Sequence, residues 1–348
     1  MKKPTLENYK ESTIVDVAEK SGVSIATVSR VLNRKGRYSE ETLRKVEAVA
    51  REIGYTPNYM AKSLKRKKTE QVALAVADIG NPVYVAMAKA VQQVAKNHGY
   101  RLVLLSTESL VSEELGIIKS LAKQFVDGLI ISPLLYGEEH RKLIKQTKQP
   151  VIVISGVGDE PDIDSVLVDS SQGMRLAMEH LLAQGYSRIA FLNGPPHTVP
   201  GVSRLNGYYA SVIEHGLAKD AKLVFESDFT FAGGYATAEQ IIGGSQHPDA
   251  IMCANDLMAL GVLRYLRERG LRVPEDIAVV GMDDIEQGAH GVPALTTVSL
   301  LAAERGRMAA ELLIERLAAE ERGEPIQLQV SPRLIVRESS VVYANRLG

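Results

Sequence analysis

The chain has 348 residues, of which 45% are hydrophobic, and its 41 Lys+Arg nearly balance its 42 Asp+Glu. This length allows more than one domain with a well-buried core, and the lack of a run of about 18 apolar residues argues against a membrane-spanning helix. A polar, charged start without a signal-peptide pattern, together with a single cysteine, Cys253, leads us to expect a cytoplasmic protein without disulfides.

Residues 13–33, TIVDVAEKSGVSIATVSRVLN, predict two short amphipathic helices separated by a tight turn. Thr13 is placed to cap the first helix, with Asp16 as its partner in a capping box. Gly22 can adopt the positive φ that ends a helix, and Ser24 is a favourable cap for the second helix.

The second of these helices has one apolar and one polar face. Val28, Val31 and Leu32 fall on one side of a wheel of about 100° per residue. The other side carries small, hydroxyl, amide and guanidinium groups, which suit phosphates and base edges: Ala26, Ser29, Arg30 and Asn33, with Thr27 flanking and Ile25 at the boundary. The pattern predicts the recognition helix of a helix-turn-helix motif. An ordinary helical hairpin with a solvated polar face is the alternative interpretation.

The distribution of charge along the chain favours a helix-turn-helix motif over an ordinary helical hairpin. Residues 1–68 contain 16 Lys+Arg and 8 Asp+Glu, a net charge of +8, whereas the other 280 residues contain 25 and 34, a net charge of −9. A basic segment of this size usually binds a polyanion, most often nucleic acid. A third helix in SEETLRKVEAVAREIG, capped by Ser39, is predicted to complete a small core with its apolar stripe of Leu43, Val46, Ala50 and Ile53.

The segment PNYMAKSLKRKKTE joins this N-terminal head (residues 13–57) to the rest of the chain. Pro57 ends the preceding helix and Asn58 can cap a new one. Ala61 and Leu64 form a short apolar edge among lysines and arginines. A helix this short is unstable alone in water, so the alternative is a disordered basic linker in which Leu64 has no special role.

From about Gln71 onward, apolar strands such as QVALAVA and VVGMD alternate with amphipathic helices. Strands that are apolar on both faces and separated by helices predict parallel sheets covered on both sides. The number of units indicates two doubly wound α/β lobes. We find no GxxxxGK[ST] loop, no well-placed GxGxxG and no metal-ligand spacing among the histidines, so we expect no cofactor and no metal.

Polar side chains follow several of these strands, where ligands bind in open parallel sheets. Donors and acceptors of this kind, with an aromatic face, suit the hydroxyls and ring of a sugar. The candidate residues are Asp78, Asn81, Tyr84 and Ser106 in the first lobe, and Arg204, Phe229, Asn255 and Asp283 in the second. Arg204 and Phe229 could instead be plain surface and core residues. Asp256 and Asp284 are interpreted as helix caps or as residues that hold loops in place.

The sequence resembles the lactose-repressor/galactose-repressor family of bacterial transcription regulators over nearly its whole length. The blocks that carry the resemblance occur in order: the residues 13–33 quoted above, YTPNYMAKSL, NPVY, DGLIIS, SRLNGY, NDLMALGVL, VVGMDD, PALTTV and GRMAAELL. The resemblance implies a homodimeric repressor, associated with the nucleoid, that binds a pseudo-palindromic operator. It also implies that a sugar-like effector binds between the lobes of the core and modulates affinity for DNA.

The resemblance assigns roles residue by residue. Base reading falls on Ile25, Ala26 and Arg30, and phosphate contacts fall on Ser24, Thr27, Ser29 and Asn33; Thr13, Tyr55, Asn58 and Ala61 are further DNA-binding positions, and Leu64 is the minor-groove wedge of a hinge helix. Arg204, Asn255 and Asp283 correspond to effector-contacting positions and Phe229 to the aromatic residue that stacks on the ring. Val83, in NPVY, stands where the family pattern leads us to expect an aromatic residue.

The expected architecture is a small all-α helix-turn-helix head and a hinge helix, joined to a two-lobed, periplasmic-binding-protein-like α/β core of doubly wound parallel sheets. We expect a flexible extension at 1–12, the head at 13–57, the hinge helix and linker at 58–69 and the core at 70–348. Lobe 1 takes about 70–169 and 301–328, and lobe 2 about 170–300 and 329–340.

Two other classes of protein remain as rivals. The missing signal peptide argues against a transporter's sugar-binding protein, and no nucleophile–base pair or metal cluster supports an enzyme. Within the favoured class, a phosphorylated carrier protein could act instead of a sugar, or besides it.

Overall fold

The computed structural model of the chain describes residues 12–34, 36–55, 68–156, 162–321 and 323–341. The chain divides into two compact units, Met1–Thr69 and Glu70–Gly348. The predictions made for residues 1–11, and for Asn58, Ala61 and Leu64 in the hinge segment, lie outside the described residues.

Three helices form the head: α1 (Ile14–Ser21), α2 (Ile25–Leu32) and α3 (Glu40–Glu52). Thr13 and Asp16 make the predicted capping box at α1, and Gly22 ends that helix with a φ of 65°. The Ser24 hydroxyl caps α2 by accepting a hydrogen bond from the Thr27 N–H. These caps satisfy N–H groups that have no partner inside the helix.

One small apolar core holds the head together. It buries side chains from all three helices: Val17, Ala18, Val28, Val31, Val46 and Ala50. Since none of these helices is long enough to be stable alone, their mutual packing provides most of the stability of the head. The apolar faces predicted for α2 and α3 therefore point inward, as expected.

The first lobe of the core is built on a six-stranded parallel sheet. Its strands are β1 (Gln71–Val76), β2 (Arg101–Ser106), β3 (Gly128–Ser132), β4 (Val151–Gly156), β5 (Ser165–Val168) and β11 (Gln327–Val330). They lie in the order β11-β5-β4-β3-β1-β2. In β1, Leu74 and Val76 pack into one apolar cluster and Ala73 and Ala75 into another. The strand is thus covered on both faces, as a parallel sheet requires.

The second lobe repeats this architecture. Its strands are β6 (Ile189–Asn193), β7 (Val224–Glu226), β8 (Ala250–Cys253), β9 (Ala278–Met282), β10 (Thr296–Ser299) and β12 (Arg333–Ile335). They lie in the order β12-β10-β9-β8-β6-β7, and β12 pairs with β10 in antiparallel orientation while the other pairs are parallel.

Helices cover both sheets. They are α4 (Pro82–Asn97), α5 (Val111–Ser120), α6 (Glu138–Gln146), α7 (Ser170–Ala183), α8 (Val199–Glu214), α9 (Phe231–Gly243), α10 (Asp256–Glu268), α11 (Glu286–Ala289) and α12 (Ala302–Ala318). The closest helix pairs are α4 with α12, α7 with α8, and α9 with α10. The predicted fold class is confirmed for the all-α head and the two-lobed α/β core; the hinge helix that it included lies outside the described residues. Among the helices of the described ranges, none combines the length and the apolar composition needed to cross a membrane.

The chain crosses between the lobes three times: after β5, after β10, and between β11 and β12. The last crossing corrects a predicted boundary, because the first lobe was expected to end near residue 328. Gln329 and Val330 still belong to the first sheet, where they pair with Leu167 and Val168 of β5. A strand pairing between residues so distant in sequence leaves no local signal for where it ends.

Candidate functional site

A cavity of about 330 Å³ lies between the two lobes, beyond the carboxyl ends of strands from both sheets. Ligands in open parallel sheets bind at this edge, and the volume lies in the range of small-molecule sites. The helices α4 and α10 begin here, with Asn81 and Asn255 as their N-caps. The cavity therefore contains side chains of both lobes.

The structure brings together seven of the eight candidate residues predicted for this cleft. They are Asp78, Asn81, Tyr84, Arg204, Phe229, Asn255 and Asp283. Ser106 does not line the cavity, so its predicted place there is wrong. It ends the edge strand β2, and the chain then folds back so that the Ser109 N–H donates to the Ala77 carbonyl. Ser109 lines the cavity instead.

Arg204 is held by α8 with only 7% of its surface exposed. Its Nη1 donates to the Ala254 carbonyl at 2.6 Å, and its Nη2 lies 3.8 Å from Oδ1 of Asp283. The guanidinium carbon lies 5.7 Å from the centre of the Phe229 ring. Its Nε is buried without a hydrogen-bond partner. The orientation of Arg204 is therefore fixed while part of its donor capacity stays unused.

Asp283 lies directly after β9 and has a φ of 121°, a conformation that residues other than glycine rarely adopt. Its N–H donates to the Val298 carbonyl, which fixes the turn. Burial raises the pKa of its carboxyl to about 6, although the charges of Arg204 and Arg305 oppose this shift. The carboxyl is thus placed to exchange hydrogen bonds with polar groups in the cavity.

Phe229 and Asn255 support each other on the second-lobe side. The Asn255 side-chain N–H donates to the Phe229 carbonyl at 2.9 Å, and its oxygen accepts from the Met258 N–H. A Cβ at Gly194 would lie 2.0 Å from the Phe229 ring, so glycine is needed there to leave room for the ring. Asn255 therefore positions the aromatic face as well as capping a helix.

On the first-lobe side, Asp78 and Asn81 hold the loop after β1. The Asp78 carboxylate accepts from the Gly80 N–H, and the Asn81 side chain accepts from the Val83 N–H. Tyr84 follows on α4, and burial together with the charge of Asp283 raises the pKa of its hydroxyl to about 12. The Tyr84 hydroxyl is accordingly neutral at physiological pH and available as a donor and acceptor.

The polar face of α2 is exposed in the head. Ser24, Ile25, Ala26 and Arg30 are exposed, and Thr27, Ser29 and Asn33 are half-buried. Ile25 has 48% of its surface exposed although it is apolar. The Arg30 guanidinium lies along the helix and donates to the Ala26 carbonyl and the Thr27 hydroxyl, both at 3.3 Å. Tyr55 is half-buried against the head core, and Thr13 is exposed.

Two family models match the chain. The model described as "Bacterial regulatory proteins, lacI family" matches residues 13–58, and that of a periplasmic binding protein-like domain matches residues 178–340. The HTH-type transcriptional regulator CelR of Thermobifida fusca is 34% identical over 343 residues, which cover 96% of this chain and 100% of that protein.

Among solved structures, a lac repressor dimer bound to operator and the anti-inducer ONPF is similar with a TM-score of 0.85 and 30% identity, over 96% of this chain and 100% of that one. A complex of CelR with cellobiose is similar with a TM-score of 0.71 and 33% identity, over 94% and 100% of the two chains. The chain belongs to the lacI family of bacterial regulatory proteins. It is a DNA-binding regulator of transcription with an effector-binding core.

In this lacI-family chain, two aspartates near the cavity hold the structure in place, as interpreted from the sequence. The Asp256 carboxylate accepts from the Ile285 N–H at 2.9 Å and from the Thr297 hydroxyl at 2.6 Å. The Asp284 carboxylate accepts from the Arg337 guanidinium at 2.7 Å. Burial, followed by the charge of Asp283, raises the pKa of Asp256 to about 7.

Sequence reasoning missed Arg305, which lines the cavity from the first turn of α12 with 8% of its surface exposed. Burial lowers the pKa of its guanidinium to about 10. In the sequence it is one basic residue in the segment AAERGRMAAELL, where Arg307 looks equivalent. Only the packing of α12 on the first lobe distinguishes the buried arginine from the exposed one. Ser132, Ser155, Ser170 and Thr230 also line the cavity without having been predicted.

Proposed function

We propose that this chain is a repressor that binds a pseudo-palindromic operator as a homodimer, and that a small sugar-like effector in the interlobe cavity modulates its affinity for DNA. The main observation in favour of such an effector is that Arg204, Asp283 and the Phe229 ring all line one cavity. A guanidinium and a carboxyl pair with neighbouring hydroxyls, and an aromatic face packs against a sugar ring. CelR, a relative of this chain, has been solved with cellobiose.

The position of the cavity gives the effector a route to influence DNA binding. Asp78 and Tyr84 belong to the first lobe, while Arg204 and Asp283 belong to the second. A molecule that contacts both sets binds best at one angle between the lobes. An effector changes affinity for DNA only by its difference in binding free energy between the two arrangements.

The exposed face of α2 is proposed to enter the major groove. Ile25, Ala26 and Arg30 would read base edges, and Ser24, Thr27, Ser29 and Asn33 would contact phosphates, with Thr13 and Tyr55 as additional contacts. Two heads of a dimer reach successive major grooves when their half-sites lie about one helical turn, or a multiple, apart. The lac repressor dimer that resembles this chain is bound to its operator.

The hinge helix with Leu64 as a minor-groove wedge, the homodimer and the domain boundaries remain predictions. A wedge between base steps costs unstacking energy and gains protein contacts on bent DNA. A phosphorylated carrier protein as regulator also remains a prediction. We propose no catalytic activity and no cofactor. Among the described residues, no group of three His, Cys, Asp or Glu side chains could hold a metal ion.

The proposal is tested by selecting DNA from a random pool with the full-length protein. We expect an enriched pseudo-palindrome, bound by a dimer, and we expect binding to this DNA to change when one compound from a panel of sugars raises the melting temperature of the protein. Enrichment without sequence preference would contradict the DNA-binding part. A selected operator whose binding responds to no member of the panel would contradict the assignment of a sugar-like effector.

A further inference from the structure

The guanidinium of Arg305 lies in the interlobe cavity, where Asp283 is the nearby charge of opposite sign but does not form an ion pair with it. Within the described part of the chain, no hydrogen-bond acceptor and no carboxylate at ion-pair distance contacts its side chain, and its Nε is buried and unsatisfied. A buried cation without compensation is costly to the folded state. Such a group is retained when something outside the fold, such as a ligand, pairs with it.

Another arginine on the same helix shows what a structural arginine looks like in this chain. Arg316 of α12 donates to both carboxylate oxygens of Asp164, at 2.9 and 2.7 Å, and also to the Glu324 carbonyl. Arg305 has no arrangement of this kind. Hydrogen bonding within the fold therefore does not account for an arginine at this position.

The deep part of the cavity has an excess of positive charge. Arg204 and Arg305 are both buried there, and Asp283 is the carboxylate that faces them. The other two acids that line the cavity are exposed at its rim, where they accept local hydrogen bonds: Asp78 from the Gly80 N–H, and Asp228 from the N–H and hydroxyl of Thr230.

Two further features act in the same direction. Burial raises the pKa of the neighbouring Asp256 to about 7, so this acid is only partly ionised near neutral pH. The helices α4 and α10 begin at the cavity. The positive ends of their macrodipoles favour negative charge there.

We infer that the effector carries an anionic oxygen group, either the carboxylate of a sugar acid or the phosphate of a phosphorylated sugar, and that Arg305 binds this group. This inference rests on the proposed function and narrows its ligand class. A guanidinium matches the geometry of both groups because it can donate two parallel hydrogen bonds. Arg204 and Asp283 remain to bind the hydroxyls.

An anion bound by Arg305 would couple the two lobes. Arg305 belongs to α12, which packs on the first lobe, whereas Arg204 and Asp283 belong to the second. An acidic sugar would thus be held by its anion on one side and by its hydroxyls on the other. Its anionic group would contribute directly to the preference for one lobe angle.

The experiment compares neutral sugars with their acidic and phosphorylated forms. Full-length protein is titrated calorimetrically with D-glucose, D-glucuronate and D-glucose 6-phosphate, with the corresponding three galactose compounds, and with cellobiose and cellobionate. We expect at least one acid or phosphate to bind tenfold or more tightly than its neutral parent. Preference for the carboxylate or for the phosphate identifies which source of the anion fits.

Two variants of Arg305 and one control test whether Arg305 causes the preference for the anionic ligand. Arg305→Gln and Arg305→Met should each reduce the preference for the anionic form at least tenfold. The Arg305→Met protein should also melt at a higher temperature than wild type without ligand, because it removes an unpaired buried cation. Arg307→Gln, on the same helix but exposed and paired with Glu304 and Glu311, should keep the wild-type preference.

The possible results distinguish the anionic ligand bound by Arg305 from the proposed sugar-binding function. If only neutral sugars bind, or if both Arg305 variants keep the preference for the anion, the inference is wrong while the sugar-binding function stands. If none of the eight compounds binds, the inference and the sugar-like effector are both withdrawn. A lower melting temperature of ligand-free Arg305→Met would assign Arg305 to the stability of the fold and also overturn the inference.

Discussion

Asp256 shows how a single buried side chain can make the stability of this protein depend on pH. Its two carboxylate oxygens connect the start of α10 with the Ile285 N–H and the Thr297 hydroxyl. In the same place, a Cβ at Gly281 would lie 2.1 Å from one of these oxygens, so the carboxyl packs directly against β9. Little room is left for water to solvate its charge.

The first prediction concerns the protonation of Asp256. Burial raises its pKa from 3.8 to about 7, so between these values the folded state binds more protons than the unfolded state. The stabilisation is complete below pH of about 4 and is lost as the pH rises to about 7. At about 1.4 kcal/mol per unit of pKa difference, the loss is on the order of 4 kcal/mol.

Asp256→Asn tests this prediction, because the amide resembles the protonated acid: its oxygen can accept from Ile285 and its N–H can donate to Thr297. Urea unfolding at pH 5 and pH 8 should show a smaller loss of stability for this variant than for wild type. Asp276→Asn is the control, since hydrogen bonds from Arg272 hold the pKa of Asp276 at about 2, outside this range. An unchanged pH dependence in Asp256→Asn would contradict the prediction.

The second prediction concerns Arg204 and Asp283 in the cavity. Removing either partner leaves buried polar groups unpaired in the complex, at a cost of about 1–3 kcal/mol. Arg204→Ala and Asp283→Ala should therefore bind the effector about tenfold more weakly or worse, with near wild-type binding of operator in its absence. The exposed Arg175 on α7 provides the control Arg175→Ala. A normal response of both cavity variants would place the effector elsewhere.

At the scale of secondary-structure elements, the eight residues of α2 both pack into the head core and present an exposed polar face. Val28 and Val31 are buried in the head core, while Arg30, between them in sequence, is exposed on the opposite face. Because the helix is anchored by its apolar face and capped by Ser24, the exposed side chains project from a fixed backbone. An arginine on such a helix can read a base edge without first having to order the chain.

The third prediction follows from this placement of Arg30. A good bidentate contact to a base is worth about 1–3 kcal/mol of discrimination. Arg30→Ala should weaken binding to the selected operator more than binding to random DNA, and it should flatten the preference at one symmetric base position of each half-site. Arg44→Ala on α3, where Arg44 is exposed and paired with Glu40, is the matched control.

Isotherms on a set of single-base operator variants measure this effect. If Arg30→Ala weakens binding to all sequences equally, Arg30 contacts only phosphates and the base-reading role is wrong. In that case, the slope of log affinity against log salt concentration should instead become shallower by about one unit.

At the scale of the whole molecule, the two compact units differ in net charge as well as in fold. Residues 1–68 carry a net charge of +8 and the remaining residues −9, and the structural division falls at Thr69 and Glu70. A basic unit attracts the phosphate backbone, whereas an acidic one is repelled by it. The distribution therefore predicts that affinity for DNA is confined to the N-terminal part.

The fourth prediction tests this division with residues 70–348 alone. They contain both sheets and three of the four apolar clusters, so we expect them to fold, to dimerise and to bind the effector. They should not bind operator, while the log affinity of the full protein should fall steeply with log salt. Electrophoretic mobility shifts and sedimentation measure the two properties. Retained operator binding by the truncated protein would contradict the assignment.

The sequence by itself determined the local structure and the family. The capping box at Thr13, the turn at Gly22 and the strands that are buried on both faces follow from backbone conformation and hydrophobic periodicity, which act over a few residues. Seven of the eight residues predicted for the cavity do line it, because the ends of parallel strands meet at one edge of a sheet.

Only the tertiary structure decided where side chains from distant segments meet. Ser106 and Ser109 are equivalent by sequence, and the turn after β2 selects the second. Arg305 and Arg307 are two residues apart on α12, yet one is buried in the cavity and the other is exposed. The end of β11 depends on its pairing with β5, more than 150 residues away. Burial and charge environment at these positions are set by long-range packing, to which no local pattern in the sequence responds.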